Sequence, residues 1–518
     1  MNRYRIFVVL LCTCAVASFA QPPTLPADLD AYVERVQKAF AVPGVAIAVV
    51  KDGKVLLAKG FGIRRMGEQA VVDGRTLFGI ASNTKAFTAV ALAILVEENK
   101  IEWDAPVVNY LPWFQLSDPY VTRELSVRDL LVHRSGLGLG AGDLLWWPPS
   151  TYTRREIAQR LRYLPLATSF RSAYAYDNVL YVIAGELIET VSGMSWEEFI
   201  EKRIFARVGM SGSNTRHSAA GHGANVATPH ARINGKVQIA NAFGSDNTNP
   251  AGGINTNAED IAKWMIVQLD SGRVADGSSL FSPTTTKELW SLVTPIPISK
   301  PQPELAAVHP QFLGYGLGFF VRDYRGRKLV MHTGSLPGFV SRLALIPELK
   351  LGVAVLTNQE ANEAHTTITY RLLDHCLGAP AFDWLSAYQQ IRARIDSTTT
   401  AQLTKMRSAR NATSRPSLSL KSYAGAYEDA WYGGVTIAEE NKKLVIRFDK
   451  TPALVGDLEH WQYDTFIARW RDRQLNADAF VTFSLKPDGT IEHCKMKAVS
   501  SETDFSFDFH DLLLKKKE

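Results

Sequence analysis

Near residue 45 the chain alternates between apolar and polar blocks in a way that sets out its first elements. "VPGVAIAVVKDGKVLLAKGFGIRR" carries two apolar runs around Asp52-Gly53, which predicts a β-hairpin with a tight turn. "FGIASNTKAFTAVALAILVEENKI" predicts a strongly apolar helix that begins beside Ser82. Residues 105 to 270 mix helices and loops. "DNVLYVIAGELIETVSG" is an amphipathic helix stopped by Gly193, and "AEDIAKWMIVQL" is another. After about residue 313 strands return. "YGLGFFVRDYRGRKLVMHTG" and "SRLALIPELKLGVAVLTN" form a meander with turns at Arg325-Gly326 and Pro347-Glu348, and "AHTTITYRLLDHCLG" closes it as a helix. Strands at both ends and helices between predict an α+β fold: one antiparallel sheet built from both ends of the region, flanked by helices, with a helical region inserted.

The texture changes further on. Residues 381–415 read as a connector, a helix followed by the polar run "DSTTTAQLTKMRSARNATSRPS". Residues 416–518 then hold short alternating strands with turn residues between them, such as "GGVTIAEENKKLVIRF" and "AFVTFSLKPDGTIEHCKMKA". These predict an all-β C-terminal domain, a small barrel or a sandwich. Within it Trp461, Tyr463 and Phe466 are expected as core residues of a strand rather than a ligand platform. No internal repeat is visible.

A chain of 518 residues exceeds what one ordinary core needs, consistent with two domains. With 46% hydrophobic and 21% charged residues, the composition is that of a globular protein and argues against disorder. The N-terminal "MNRYRIFVVLLCTCAVASFAQPPTLP" reads as a secretory signal over residues 1–20. Arg3 and Arg5 precede an apolar stretch, Ile6 to Val16, too short to span a bilayer, and the small residues Ser18 and Ala20 precede a cut near Ala20/Gln21. The expected location is therefore the periplasm or the medium. Loss of the two arginines lowers the formal net charge of +5 by two, leaving no excess that would favour nucleic acid. No later stretch is long and apolar enough to span a membrane. Cys12 and Cys14 fall in the leader without a good lipoprotein context. Cys376 and Cys494 fall in different proposed domains, so a bridge between them is open but not indicated. There is no Cys-x-x-Cys and no His-Glu-x-x-His, so neither a cofactor nor a metal is expected.

Three small constellations carry chemistry. Ser82 and Lys85 lie three residues apart at the front of the apolar helix, hence on one face. A lysine against a packed wall loses charge, and a neutral amine can take the proton of a serine hydroxyl. The helix N-terminus beneath Ser82 favours developing negative charge. Tyr176-Asp177-Asn178 directly precedes the amphipathic helix. A tyrosine near that lysine can exchange protons with a leaving group, and an asparagine can bond both an amide and the lysine. His332-Thr333-Gly334-Ser335 ends a strand whose small residues admit a close ligand backbone, and whose free edge can take a peptide by strand addition. Singly, each has an ordinary reading: a helix cap with a solvated lysine, a loop tyrosine with an Asn cap, an edge strand with a surface histidine.

In this order the three resemble the Ser-x-x-Lys, Ser/Tyr-x-Asn and Lys-Thr-Gly elements of the penicillin-recognising serine hydrolases. "LSVRDLLVHRSGL", "YAYDNVLYVIAGELIE" and "NPAGGINTNAEDIAKWM" add to the likeness. The chain resembles class C β-lactamases, D-alanyl-D-alanine carboxypeptidases, D-aminopeptidases and related esterases over roughly residues 28 to 378, and its C-terminal part resembles the lipocalin-like barrel some of them carry. The resemblance implies a β-lactamase/transpeptidase-like fold over residues 21–380. It implies that Ser82 is acylated, that Lys85 is its base, that Tyr176 shuttles protons and that Asn178 orients substrate and lysine. It places the oxyanion hole at the N–H groups of Ser82 and Ser335, and His332, Thr333 and Gly334 beside the substrate carboxylate.

Two residues depart from the pattern. His332 replaces a lysine, so a fixed cation for a substrate carboxylate is weakened, a form closer to the peptidase and aminopeptidase branches. Asp177 stands where a small residue is usual, and could hold a proton near Tyr176, bind a substrate amine or simply be exposed. No Gly-x-Ser-x-Gly elbow occurs. The expected function is an exported serine hydrolase acting through an acyl-enzyme on a β-lactam or D-amino-acid peptide. Alternatives are a carboxylesterase on the same scaffold or a slowly deacylating sensor of wall fragments. The loop at residues 140–153, with Trp146 and Trp147, either walls the cleft or staples itself.

Overall fold

The computed structural model describes residues 25–219 and 224–517. The leader read in residues 1–20, with Cys12 and Cys14, lies outside the described residues. The chain opens with helix α1 (Leu29–Phe40), then the hairpin strands β1 (Gly44–Lys51) and β2 (Lys54–Gly62). Asp52 and Gly53 both have positive φ, at 50° and 74°. That is the backbone a two-residue hairpin turn with the right twist demands.

Eight strands form the main sheet. The later ones are β3 (Thr294–Pro295), β4 (Leu313–Tyr315), β5 (Phe320–Tyr324), β6 (Arg327–Leu336), β7 (Phe339–Ile346) and β8 (Leu351–Thr357), and the order across the sheet is β2-β1-β8-β7-β6-β5-β4-β3. The first hairpin therefore pairs with the last strand, Ala48 opposite Ala354. The apolar run of β1 is continuous because both of its faces are covered. Val45, Ile47 and Val49 enter a core with α1 and with helix α5 (Asn362–Leu377). Ala46, Ala48 and Val50 enter the opposite one, against helices α2 (Thr84–Glu97) and α4 (Ala258–Leu269). Helix α3 (Val179–Ser192) packs on the far side of α2. So α2 is buried from Thr84 to Leu95 on every side, which explains its unbroken apolar sequence. Phe87 stacks on Trp264 with centroids 3.9 Å apart to fix it against α4.

The C-terminal strands, from Gly425 to Lys516, close into an eight-stranded antiparallel barrel. The expected fold class, an α+β unit plus a barrel, is what the structure has. Two local expectations fail. The polar run after residue 395 is not irregular: helix α6 spans Trp384–Ser408 without a break. It holds good helix formers and no Gly or Pro, and the Asp383 side chain accepts the Ser386 N–H as a cap (3.0 Å). Only Trp384, Ala387 and Ile391 of it are buried, so the helix bridges the domains over solvent and gives no amphipathic signal. In the barrel, Phe466 is core, but Tyr463 is 58% exposed on a turn with φ of 49°, and Trp461 is half-buried beneath the Arg410 guanidinium. Cys376 and Cys494 are both free thiols.

The barrel is seated on the helical region. Thr151 N–H donates to Lys450 O (2.8 Å), Arg160 to Trp431 O (2.8 Å) and the Tyr152 hydroxyl to Tyr432 O. The Asp508 carboxyl, fully buried, accepts the N–H groups of Gly142 (2.7 Å) and Leu144 (3.0 Å) across the seam. Leaving a buried donor unmade costs about 1–3 kcal/mol. Asp508→Ala orphans two, and is expected to lower the unfolding free energy of the full chain by at least about 2 kcal/mol, read from denaturant melts. A loss below about 0.5 kcal/mol would show that the seam does not depend on this carboxyl.

Candidate active site

Ser82 sits on a single 3-10 turn, Ala81–Asn83, that runs into α2. Ala81 before it has φ of +48°, a backbone conformation that costs a non-glycine residue energy. The turn is held from the sheet side. The Ser341 hydroxyl on β7 donates to Ile80 O (2.8 Å) and accepts from Asn83 Nδ2 (2.8 Å). Gly334 on β6 lies so close that an added Cβ would stand 2.1 Å from Ile80 O. The missing side chain is what lets β6 lie against the Ser82 turn. Strand β5 pairs with β6 only as far as Met331, so residues 332–336 of β6 have β7 on one side and the cleft on the other.

Lys85 is wholly buried one turn below Ser82. Its Nζ makes three hydrogen bonds: to Ser82 Oγ (3.0 Å), to Asn178 Oδ1 (2.8 Å) and to Ala251 O (2.9 Å). The last two partners can only accept, so they claim two N–H groups whatever the charge. In the neutral amine the third position, the lone pair, then faces the serine hydroxyl. Burial pulls the Lys85 pKa down to about 7, with Asp143 and Asp177 opposing the shift. The Nζ also lies 4.9 Å from the centre of the Tyr176 ring and 5.2 Å from that of Tyr181. Desolvation holds the Tyr176 phenol well above its ordinary pKa, with the Ser82 hydroxyl as the hydrogen-bond partner that works against the rise. The phenol thus keeps its proton at neutral pH, which leaves Lys85 as the base.

Asn178 is aimed by its neighbours. Its Nδ2 donates to Asp143 Oδ2 (2.8 Å), which turns Oδ1 toward Lys85. It is free to do so because Asp177 caps α3 instead, accepting the N–H groups of Val179 (3.0 Å) and Leu180 (3.4 Å). Asp177 is fully buried, with burial raising its pKa well above the usual range, and it lies behind the cleft wall. It is neither exposed nor placed to bind a substrate amine; it caps the helix. Beneath it His133 accepts the Asp177 N–H (3.1 Å) and packs on Tyr176, centroids 4.3 Å apart.

His332 is not a surface residue. It is 2% exposed, packed by Phe320 and Tyr315. Its Nδ1 donates to its neighbour's carbonyl, Thr333 O (2.6 Å), so its Nε2 accepts the Tyr315 hydroxyl (2.8 Å). Desolvation, helped by Lys85, lowers its pKa to about 3. Around neutral pH the position supplies no positive charge.

Ser82, Tyr176, Asn178, His332, Thr333 and Ser335 share one cleft of about 270 Å³, with Gly334 behind it. Trp146 and Trp147 wall it, and Trp146 also staples its loop by donating Nε1 to Asp143 Oδ1 (2.8 Å). Sequence reasoning missed the rest of the wall. Asp504, Phe505 and Ser506 come from the barrel. Phe505 meets the Tyr176 ring edge to face at 6.0 Å, and the Ser506 hydroxyl donates to Asp143 Oδ2 (2.8 Å). Burial lifts the Asp143 pKa to about 7. No local pattern marks these residues. Only Asp143 lay in a loop already singled out, beside its two tryptophans.

With that geometry in view, the comparisons are direct. Residues 29–376 match the Beta-lactamase family, and residues 409–516 match a domain of unknown function (DUF3471). The chain belongs to the Beta-lactamase family. Among its relatives, unguisins hydrolase ungD of Aspergillus violaceofuscus is 29% identical over 507 residues, 90% of this chain and 86% of that one. Protein flp of Staphylococcus aureus is 25% identical over 346 residues, 64% of this chain and 62% of its own. Among solved structures, the octameric penicillin-binding protein homologue from Pyrococcus abyssi superposes with a TM-score of 0.60 at 23% identity, covering 94% of this chain and 99% of that one. A D-stereospecific amidohydrolase from Streptomyces gives 0.53 at 20%, covering 67% and 97%. Both structures share the fold.

Gly334→Ala tests the close approach. The added methyl has backbone on its far side and cannot rotate away, so a loss of about 1–3 kcal/mol in unfolding free energy is expected from denaturant melts. An unchanged midpoint would mean that β6 does not bear on the Ser82 turn.

Proposed function

We propose that the chain is a serine hydrolase that acts through an acyl-enzyme on a peptide-like amide. The observation that carries this reading is the buried Lys85 amine, with two of its three positions occupied by obligate acceptors and the third directed at Ser82 Oγ. With a pKa of about 7, roughly half of it is neutral at pH 7 and able to accept a proton.

The steps follow from the arrangement. Ser82 Oγ–H gives its proton to Lys85 Nζ as Oγ attacks the amide carbon. The N–H groups of Ser82 and Ser335, brought together by Gly334, receive the oxyanion. Lys85, now charged and bonded to Asn178 and Ala251, returns a proton through the Tyr176 hydroxyl to the departing amine. Water enters by the reverse path and releases the acid. The choice of an amide draws support from relatives whose names are hydrolase and D-stereospecific amidohydrolase, one of them aligned across both domains.

An uncharged p-nitrophenyl ester and a D-amino-acid p-nitroanilide serve as probes, with intact mass followed over time. An acyl adduct on the wild type and none on Ser82→Ala is the expected result, and equal labelling of both would end the proposal. Lys85→Met is expected to slow acylation by about 10²–10⁴-fold. Because the base must be neutral, kcat/KM should rise with pH through a midpoint near 7 and level off above it. A profile flat from mildly acid to mildly alkaline pH would remove Lys85 from that role.

A further inference from the structure

Beyond the Ser82 cleft, the seam between the hydrolase domain and the barrel opens into a second cavity of about 440 Å³. It adjoins the first, since Trp147, Ser335 and Asp504 line both. Its volume is in the range that encloses a small organic ligand or a few residues of peptide. Both domains build it. Phe243, stacked on Trp147 at 5.5 Å, with Leu336 forms an apolar wall on one side, and Leu475 and Phe507 face it from the barrel.

The polar part of the lining has one sign. Glu360, Asp472, Glu502 and Asp504 contribute carboxyls, and among the described residues no lysine or arginine lines the space. Two of the four have partners. Glu502 is paired with Arg392 at 2.9 Å, and Asp472 caps a turn through the Gln474 N–H (3.0 Å). Glu360 and Asp504, one from each domain, have no cation. Each accepts one backbone N–H, from Gly338 (2.8 Å) and Ser506 (2.9 Å) respectively. Both carboxyls stay open to solvent in the cavity, and no basic side chain among its described lining residues stands against them. Among the described residues, the basic groups around the Ser82 cleft are His332 and His133, both with pKa values lowered by burial, and Lys85, committed to its three partners.

We infer that this interdomain cavity is a binding subsite for the part of the substrate remote from the scissile amide, and that it takes an apolar peptide segment bearing a primary amine and no carboxylate. The ammonium lies between Glu360 and Asp504, and the aliphatic stem lies along Phe243, Leu336 and Leu475. A carboxylate in the same place would face like charges with no counter-ion. The inference rests on the proposed hydrolase reading for its direction, because it is the contiguity with Ser82 that makes the cavity a subsite.

Binding is measured apart from turnover, on the full-length Ser82→Ala protein. The probes are tripeptide amides built on D-alanine, blocked at both ends and carrying lysine, norleucine or glutamate at either end. Calorimetry is expected to give at least tenfold tighter binding for the lysine peptide than for the norleucine one, and weaker binding for the glutamate peptide. Adding Glu360→Gln with Asp504→Asn, which keeps shape and removes charge, should bring the three affinities to within about threefold. The lysine preference should also shrink as salt is raised from 50 to about 500 mM, a reading that needs no further variant. Equal affinities for the three peptides, or a lysine preference that survives the double substitution, would overturn the subsite. Failure of the hydrolase reading shows separately, as the absence of any Ser82-dependent adduct with the esters.

Discussion

A lysine amine taken wholly out of water sets the terms for this structure. Burying an ammonium is expensive, and a protein meets that expense by shifting the pKa and by filling every hydrogen-bonding position. Lys85 shows both responses: three partners within 3.0 Å and a pKa drawn down to about 7. Much of the surrounding architecture follows. Helix α2 must be apolar on all sides to keep the amine dry. Pro250 and Ala251 must cross close beneath it, with Thr88 donating to Pro250 O (2.7 Å), so that a carbonyl is present where no water can be. Asn178 must not be spent on capping its own helix, and Asp177 relieves it of that task.

The barrel belongs to the same arrangement. Asp143 is the residue behind Asn178, and its acceptor oxygens are filled by Trp146 and Asn178 from its own domain and by Ser506 from the barrel. Asp508 meanwhile holds the backbone on both sides of Asp143. The loop that aims Asn178 at Lys85 is thus fixed by a segment more than 350 residues further along the chain. Phe505 from that segment also covers one edge of Tyr176. A catalytic constellation needs its supporting shell as much as its own members. Here part of that shell is a domain whose family carries no assigned function.

What could be read from the chain, and what could not, divides along this line. The sheet built from both ends of the hydrolase region was legible because β1 and β8 are runs of small and branched apolar residues bounded by turns. Ser82, Lys85, Tyr176, Asn178 and His332 stood out because each sits in a short local pattern, and the structure brings four of them to one cleft with Lys85 buried beneath it. The states of those residues were not legible. Whether His332 is charged depends on Tyr315 and Phe320, which reach it through sheet pairing. Whether Asp177 faces substrate depends on which side of a helix start it takes, and a neighbouring asparagine competes for the same role. Ser506 and Phe505 lie in "ETDFSFDFH", which reads as an ordinary edge of a barrel. Their contacts form only once two domains meet. The helix through the polar run after residue 395 was hidden for the opposite reason: it buries almost nothing, so it leaves no periodicity.

The site's electrostatics can be followed one step further, into the reaction it would support. Before acylation Lys85 is close to evenly divided between its neutral and charged forms at pH 7, because burial penalises its charge. Once Lys85 takes the Ser82 proton, the same three acceptors become the right complement for an ammonium: Asn178 Oδ1, Ala251 O and the serine oxygen, now bonded to substrate. The developing oxyanion adds an opposite charge a few ångströms away. A group destabilised in its charged form at rest and stabilised in it at the transition state is what differential binding requires. The ordinary lysine of this strand motif would place a second permanent cation near Lys85 and push its pKa lower still. A neutral His332 leaves the amine closer to 7, at the price of any grip on a substrate carboxylate. The absence of that cation and the acidic lining of the interdomain cavity act in the same sense: neither offers a counter-ion to a negative charge.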